Sequence, residues 1–258
     1  MAESSATQYV DSGNLEARQT LWTHVSPLFR LSDWVLDLIG HWPDLWVLDV
    51  GCGNGTYLSA CRDRGAQVVG CDLSFGMLQS ARHDALVNAD VMALPFASES
   101  LDVVLAPHML YEVSDVEGAL LEVRRVLKPG GVLLAVTNGS NHARSLRALV
   151  EESVRDWRPG WVMFDPATRR FSLENGASQL GRVFDSISCV RPDRSLRVIL
   201  RDANVAANFV ASVGDRYESE IGLPWTTIVD EVRRKVRQII GDKGSFVTSA
   251  DVGVFVCR

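Results

Sequence analysis

Between residues 45 and 138 the chain alternates short apolar runs with stretches whose apolar positions recur at helical spacing. Runs at 45–50, 67–72, 85–88, 101–106 and 132–137 predict strands, and 56–64, 74–82 and 115–127 predict helices. Ser74 stands at the N-cap position of the second helix. Ser114 and Glu117 form an S-x-x-E capping box for the third, whose Val116, Leu120, Val123 and Leu127 share one face. Lys128-Pro129-Gly130-Gly131 turns the chain into the last strand of this stretch. Such alternation requires right-handed crossovers and therefore a mostly parallel sheet.

The flanks are patterned differently. Residues 1–43 read as helical, with Leu21, Trp22, Val25, Leu28 and Phe29, then Trp34, Val35, Leu38 and Ile39, at helical spacing. Pro27 interrupts this zone and Pro43 ends it. Beyond 138, helices are expected at 143–156 and 226–240 and strands at 183–190, 196–200 and 253–257. Trp157, Trp161, Phe164, Phe171 and Trp225 lie between them, as cap segments inserted among the last sheet elements would place them. The expectation is one domain over 1–258. Its core is 45–138 plus strands near 183–190 and 253–257, and cap segments lie near 1–43, 139–180 and 201–245.

Composition narrows the function classes. A chain of 258 residues, 47% hydrophobic, buries roughly 70–75% of its unfolded surface, so disulfides or metals are not needed to hold it. The net charge of −6 argues against a general nucleic-acid binder, which draws its affinity from Lys and Arg. The clusters Arg124, Arg125, Lys128 and Arg233, Arg234, Lys235, Arg237 fall in helical patterns and read as solvated faces. Five scattered cysteines make no C-x-x-C. The polar start is no signal peptide, and no run approaches the roughly 18 apolar residues of a membrane span. These features point to a soluble cytoplasmic protein, monomer or homodimer, with no metal, membrane or DNA partner.

The chemistry concentrates in Val47-Leu48-Asp49-Val50-Gly51-Cys52-Gly53-Asn54-Gly55-Thr56, which follows an apolar strand and opens a helix. Open α/β sheets bind ligands at the carboxyl ends of their strands, and glycines let the backbone turn sharply there. A dinucleotide fold wants G-x-G-x-x-G; here the spacing is G-x-G-x-G. Asp49 would repel a pyrophosphate and would suit a cation, such as an ammonium beside a sulfonium. Asp72 ends the next strand, 21 residues after Gly51, near the spacing at which an acid bonds ribose hydroxyls. Asp90 lies just past the third strand, where it can accept from an adenine amine. Each acid alone would serve equally as a cap or turn residue.

Together, D-x-G-x-G-x-G, an acid ending the second strand, Asn88-Ala89-Asp90 and Leu127-Lys128-Pro129-Gly130-Gly131 resemble the class I S-adenosylmethionine-dependent methyltransferases, in the small-molecule branch of ubiquinone- and menaquinone-type enzymes. The resemblance covers residues 45–138 and thins outside them. It implies a Rossmann-like α/β fold: a mostly parallel seven-stranded sheet with an antiparallel last strand, helices on both faces and a helical, aromatic cap. It implies S-adenosylmethionine as cofactor, S-adenosylhomocysteine as product and no metal. Gly51, Cys52, Gly53 and Gly55 would line the methionine part, with Asp49 at its amine. Asp72 would take the ribose and Leu73 would pack on adenine. Asp90 and Val91 would hold the adenine edge, and Ala106 and His108 would pass close by. Tyr9 would face the sulfonium and Arg18 the carboxylate of the methionine part.

The implied reaction is in-line methyl transfer to an O or N atom of a small-molecule acceptor, with secondary metabolism as its setting. His108 and His142, at the ends of the fourth and fifth strands, are candidate general bases, and Tyr111 is a candidate for orienting the acceptor. His142 would otherwise start a helix capped by Ser140 or Asn141. The Asn/Asp-Pro-Pro-aromatic motif of DNA amino-methyltransferases is replaced by Ala106-Pro107-His108-Met109, which leaves RNA methylation open. A non-catalytic cofactor-binding regulator or partner protein is the other reading.

Overall fold

The continuous apolar runs of the central segment become strands buried on both faces, as a parallel sheet covered by helices requires. The computed structural model describes residues 12–163, 169–214 and 217–258. The strands are β1 (Val25–Ser26), β2 (Trp46–Val50), β3 (Gln67–Asp72), β4 (Leu86–Asn88), β5 (Leu101–Pro107), β6 (Leu127–Asn138), β7 (Ile187–Val190), β8 (Leu196–Leu200), β9 (Phe246–Ala250) and β10 (Val252–Cys257). The helices are α1 (Gly13–Trp22), α2 (Leu31–Leu36), α3 (Thr56–Asp63), α4 (Phe75–Ser80), α5 (Val116–Val126), α6 (Arg144–Arg155), α7 (Gly176–Leu180), α8 (Ala203–Ala211), α9 (Glu218–Ile221) and α10 (Trp225–Lys243).

Seven strands form the main sheet in the order β4-β3-β2-β5-β6-β10-β7. β2 pairs in parallel with β3 and β5, and β5 with β6. β10 runs antiparallel to both β6 and β7, with Val254 opposite Val136 and Val190. Alternate side chains enter two cores. Val47, Val103, Leu134 and Val254 face one, packed under α3, α6, α8 and α10; Leu48, Val104, Leu133 and Phe255 face the other, under α5 and α7. The sheet is thus the mostly parallel, seven-stranded one expected, with the last strand reversed.

Several local expectations need correction. Residues 183–186 are not strand, and β7 is only Ile187–Val190. The strand at 196–200 forms, but in a separate three-stranded antiparallel sheet, β1-β8-β9. Val25 therefore pairs as strand inside a zone read as helical, and Phe246–Ala250 is a strand that periodicity did not mark. The cap of α5 is Asp115, whose Oδ1 accepts from Gly118 N–H at 3.0 Å; a carboxylate one residue nearer the first turn displaces Ser114. Neither Ser140 nor Asn141 caps α6. Its Arg144 and Ser145 N–H groups donate to Ser249 Oγ and Thr248 Oγ1 of β9, at 3.3 and 3.1 Å. Ser74 does cap α4, accepting from Met77 N–H at 3.2 Å.

Candidate functional site

At the carboxyl ends of β2, β3, β5 and β6 the sheet opens into a cavity of about 1480 Å³, covered by α1 and α8. A single ligand pocket typically holds roughly 300–1,000 Å³, so this one has room for two molecules side by side.

The glycine loop lines one end. Gly51 and Gly53 take φ of +65° and +54°, a region that costs a side chain roughly 1–2 kcal/mol. Space is short as well: a Cβ on Gly51 would lie 2.7 Å from Met109 Cβ, and one on Gly53 2.7 Å from Leu15 Cδ2. Helix α1 is fastened to this loop. Gln19 and Asn54 exchange side-chain amide hydrogen bonds of 3.1 and 2.8 Å.

Behind the loop lies Asp49, 1% exposed, with neither carboxylate oxygen hydrogen-bonded among the described residues. Burial, and then the charge of Asp72, hold its pKa well above the usual carboxylate range. An isolated buried carboxylate costs several kcal/mol, so it keeps a proton or meets a cation. The nearby Tyr57 hydroxyl is also buried without a partner among the described residues, and burial and Asp49 push its pKa up.

Asp72 is differently placed. Its Oδ2 accepts from Gly53 N–H at 2.9 Å and its Oδ1 from Ser74 N–H at 2.8 Å. One carboxylate ties the glycine loop to the start of α4, while lone pairs remain for a ligand hydroxyl. Burial still outweighs these two bonds and raises its pKa. Leu73 is exposed at the rim, Val91 is buried in the wall, and Asp90 accepts from Met92 N–H through Oδ1.

Past the ends of β5 and β6 the lining is aromatic and basic. His108 follows β5 with φ +56°, and its N–H donates to Val136 O at 3.0 Å, which sets it beside Asn138 at the end of β6. The Trp22 ring lies 6.4 Å from His108 and 5.6 Å from His142; Tyr111 lies 6.4 Å from His108 and Phe209 6.5 Å from His142. His108 Nε2, His142 Nδ1 and Asn138 Oδ1 are buried with no hydrogen-bond partner among the described residues. Desolvation lowers His108 to about 4. Desolvation, His108 and Arg147 lower His142 to about 3. Both imidazoles are neutral at pH 7.

Of the sequence candidates, Gly51, Cys52, Gly53, Asp72, Leu73, Asp90, Val91, His108, Tyr111, His142 and Arg18 all line the cavity. Ala106 does not: it is fully buried in the core, opposite Ala135, and Pro107 takes its place in the wall. Gly55 stands outside the lining and serves as the left-handed N-cap of α3. Asp49 lies behind the wall rather than in it. Arg18 reaches α8, donating to Ser212 O and Oγ at 2.6 and 3.3 Å. Tyr9 and Phe164 fall outside the described residues. Trp157 is surface and Trp161 packs edge-on against Tyr217, while Phe171 does reach the wall. The sequence patterns mark none of Trp22, Arg147 and Phe209 for the site; only the helical spacing of Trp22 points to its α1 face. Among the described residues no cluster of His, Cys, Asp and Glu is suited to hold a metal, and no helix is long and apolar enough to cross a membrane.

A methyltransferase-domain family model matches residues 48–135. The chain is 32% identical over 152 residues to a demethylmenaquinone methyltransferase of Renibacterium salmoninarum, covering 48% of this chain and 64% of that one. It is 30% identical over 177 residues to a malonyl-[acyl-carrier protein] O-methyltransferase of Pseudescherichia vulneris, covering 60% of this chain and 70% of the relative. The chain spans about half the length of the first curated relatives it matches. In fold it is similar to phosphoethanolamine N-methyltransferase 2 of Haemonchus contortus, solved with phosphomonomethylethanolamine and S-adenosylhomocysteine. There the TM-score is 0.53 at 19% identity, over 88% of this chain and 51% of that one.

Proposed function

The chain belongs to the class I S-adenosylmethionine-dependent methyltransferases, in their quinone-methyltransferase-like branch, and on that premise we propose that it methylates an O or N atom of a small molecule. The observation that carries this reading is the orphaned Asp49 carboxylate behind the glycine loop, which fits a cationic ligand and no pyrophosphate. Secondary metabolism is the setting the resemblance implies. Among the described residues all five cysteines are free, which supports a reducing, cytoplasmic location.

The residues present fit the cofactor. Asp49, directly or through water, would meet the amine of the methionine part as it passes over Gly51 and Gly53. Asp72 would accept from the ribose hydroxyls with the lone pairs its two backbone bonds leave. Leu73 and Val91 would hold the adenine, with Asp90 at its edge. When bound, the cofactor supplies a methyl group on a sulfonium that departs as a neutral thioether under in-line attack. The protein's part is then positioning, exclusion of water and acceptance of one proton. His108 and His142, neutral and lacking partners at one ring nitrogen each, would accept the proton of the attacking group, and Tyr111 would orient it.

Calorimetric titration with S-adenosylhomocysteine tests the reading. Micromolar binding is expected, weakened markedly in Asp72→Asn and in Asp49→Asn. Asp72→Asn keeps one of the two backbone bonds, through its amide oxygen, whereas Asp72→Ala strands the N–H groups of both Gly53 and Ser74 and is the poorer variant. A folded wild-type protein that gives no binding heat and no thermal shift at millimolar ligand overturns the proposal.

A further inference from the structure

The methyl-transfer reading leaves the acceptor unspecified; the aromatic and basic lining past β5 and β6 carries its chemistry, and the proposal rests on that reading. Three buried polar atoms belong to lining residues there, on neighbouring strand ends: His108 Nε2 after β5, Asn138 Oδ1 at the end of β6 and His142 Nδ1 four residues on. Leaving such groups unsatisfied is costly, and a ligand that bonds them recovers that cost. A hydroxyl, which donates once and accepts twice, can donate to the bare nitrogen of one imidazole and accept from the N–H of the other.

Around these atoms stand flat apolar surfaces. The Trp22 ring flanks both imidazoles, with Phe209 beyond His142 and Tyr111 beyond His108. Such walls accept a planar ring.

The third feature is a cation. Arg147, in the first turn of α6, lines the cavity and bears electrostatically on His142. Its guanidinium donates to the carbonyl of Ser140 at 3.1 Å and forms no ion pair among the described residues. Of the lining carboxylates, Asp72 and Asp90 stand by the glycine loop, Asp63 ends α3, Asp33 is bridged to Arg64 at 3.4 Å, and Glu112 follows Tyr111; none of them pairs with Arg147. A half-buried guanidinium with open donors beside a hydroxyl site is a bidentate anchor for an acid.

We propose that the methyl acceptor is a planar hydroxylated carboxylic acid, its ring against Trp22 and Phe209, its hydroxyl among His108, His142 and Asn138, and its carboxylate on Arg147. The acceptor oxygen bonds the methyl carbon as the carbon–sulfur bond breaks, its electron pair leaving with sulfur. The hydroxyl proton passes to an imidazole and from there to water.

The test is calorimetric titration of the whole chain with 3- and 4-hydroxybenzoate, benzoate and phenol, with and without saturating S-adenosylhomocysteine. Wild type is compared with Arg147→Gln and Arg147→Lys, each checked for folding by thermal unfolding. The expected result is that one hydroxybenzoate binds at least about tenfold more tightly than phenol or benzoate. Arg147→Gln removes the preference over phenol and Arg147→Lys keeps most of it. Equal binding of phenol and hydroxybenzoate by wild type, an unchanged ratio in Arg147→Gln, or no binding of either acid at millimolar concentration overturns the proposal. The wild-type comparison needs no variant, so a misfolded one does not block the test. The two readings fail separately. Binding of S-adenosylhomocysteine without the acids removes only the acceptor class; binding of the acids without it removes the methyl-transfer reading.

Discussion

The indole of Trp22 lies nearly parallel to the imidazole of His142, with ring centroids 5.6 Å apart and planes 22° from parallel. The stack joins α1, from the N-terminal flank, to the residues just after β6, and it keeps water from an imidazole whose pKa burial has lowered to about 3. Trp22→Ala opens that side. His142 should then titrate at least about one unit higher, toward the ordinary histidine value. Histidine NMR titration of both proteins reads this directly, and an unmoved His142 would show that Trp22 contributes nothing to the desolvation.

With His108 at about 4 and His142 at about 3, no histidine of the site gains a proton between pH 8 and 5.5. The acid limb of kcat/KM should therefore show no inflection near 6.5. A bell-shaped profile with an acid pKa of 6–7 that disappears in His108→Asn or His142→Asn would contradict the buried, neutral state.

The same shifts link to stability. Between their folded values and 6.5 the unfolded chain binds protons on these histidines that the folded chain does not. Their contribution is thus complete above pH 6.5 and is lost as pH falls toward 4. Asp49 works in the opposite sense. Its folded pKa is raised, so its contribution declines as pH rises above 3.8. Comparing wild type with a His108→Asn/His142→Asn variant by denaturant unfolding at pH 7 and pH 5 isolates the histidines. Wild type should lose about 1–3 kcal/mol more on acidification, the lower end being favoured because the cavity opens to solvent.

Asp49 also makes a binding prediction. Burial raises the Asp49 pKa in the empty site and an ammonium beside it would lower it, so ligand entry favours proton release. S-adenosylhomocysteine titrations in buffers of different ionisation enthalpy should report release of up to one proton by wild type and none by Asp49→Asn. The variant should bind about 10–100-fold more weakly, the worth of a charge-assisted hydrogen bond. The same substitution should raise the stability of the free protein at pH 7, since it removes an unpaired buried acid.

Gly51 and Gly53 separate two penalties. Gly53→Ala meets both the left-handed φ and the Leu15 methyl at 2.7 Å, whereas the neighbour of Gly51 is Met109 Cβ, which the backbone holds in place. Adding Leu15→Ala should recover part of the loss in Gly53→Ala, and the remaining deficit should be about 1–2 kcal/mol, the cost of the backbone alone. Denaturant unfolding of the single and double variants measures the split. Full recovery in the double variant would mean the left-handed conformation costs nothing there.

The central sheet was legible in the residues because its signals are local. Apolar runs such as 67–72, the glycine turn after Val50 and the Ser74 cap each depend on neighbours within a few positions, and the three acids stand at or just past the ends of their strands. The tertiary structure decided whatever joins distant segments. Strand β8 is apolar enough to be read, but its pairing with Val25–Ser26 and Phe246–Ala250, rather than with the main sheet, depends on chain closure across some 170 residues. The caps of α6 come from β9, about a hundred positions away, so no local pattern holds them. Ala106 and Pro107 are neighbours in sequence, yet the pleat turns one into the core and the other to the cavity. The acceptor end has the same origin. Trp22, His108, His142 with Arg147, and Phe209 come from four separate stretches, and only the folding of α1 and α8 over the sheet edge gathers them. A residue's type and spacing set what it can do locally, while desolvation and partnership, which make Asp49 an orphan and the two histidines neutral, arise only once the chain is packed.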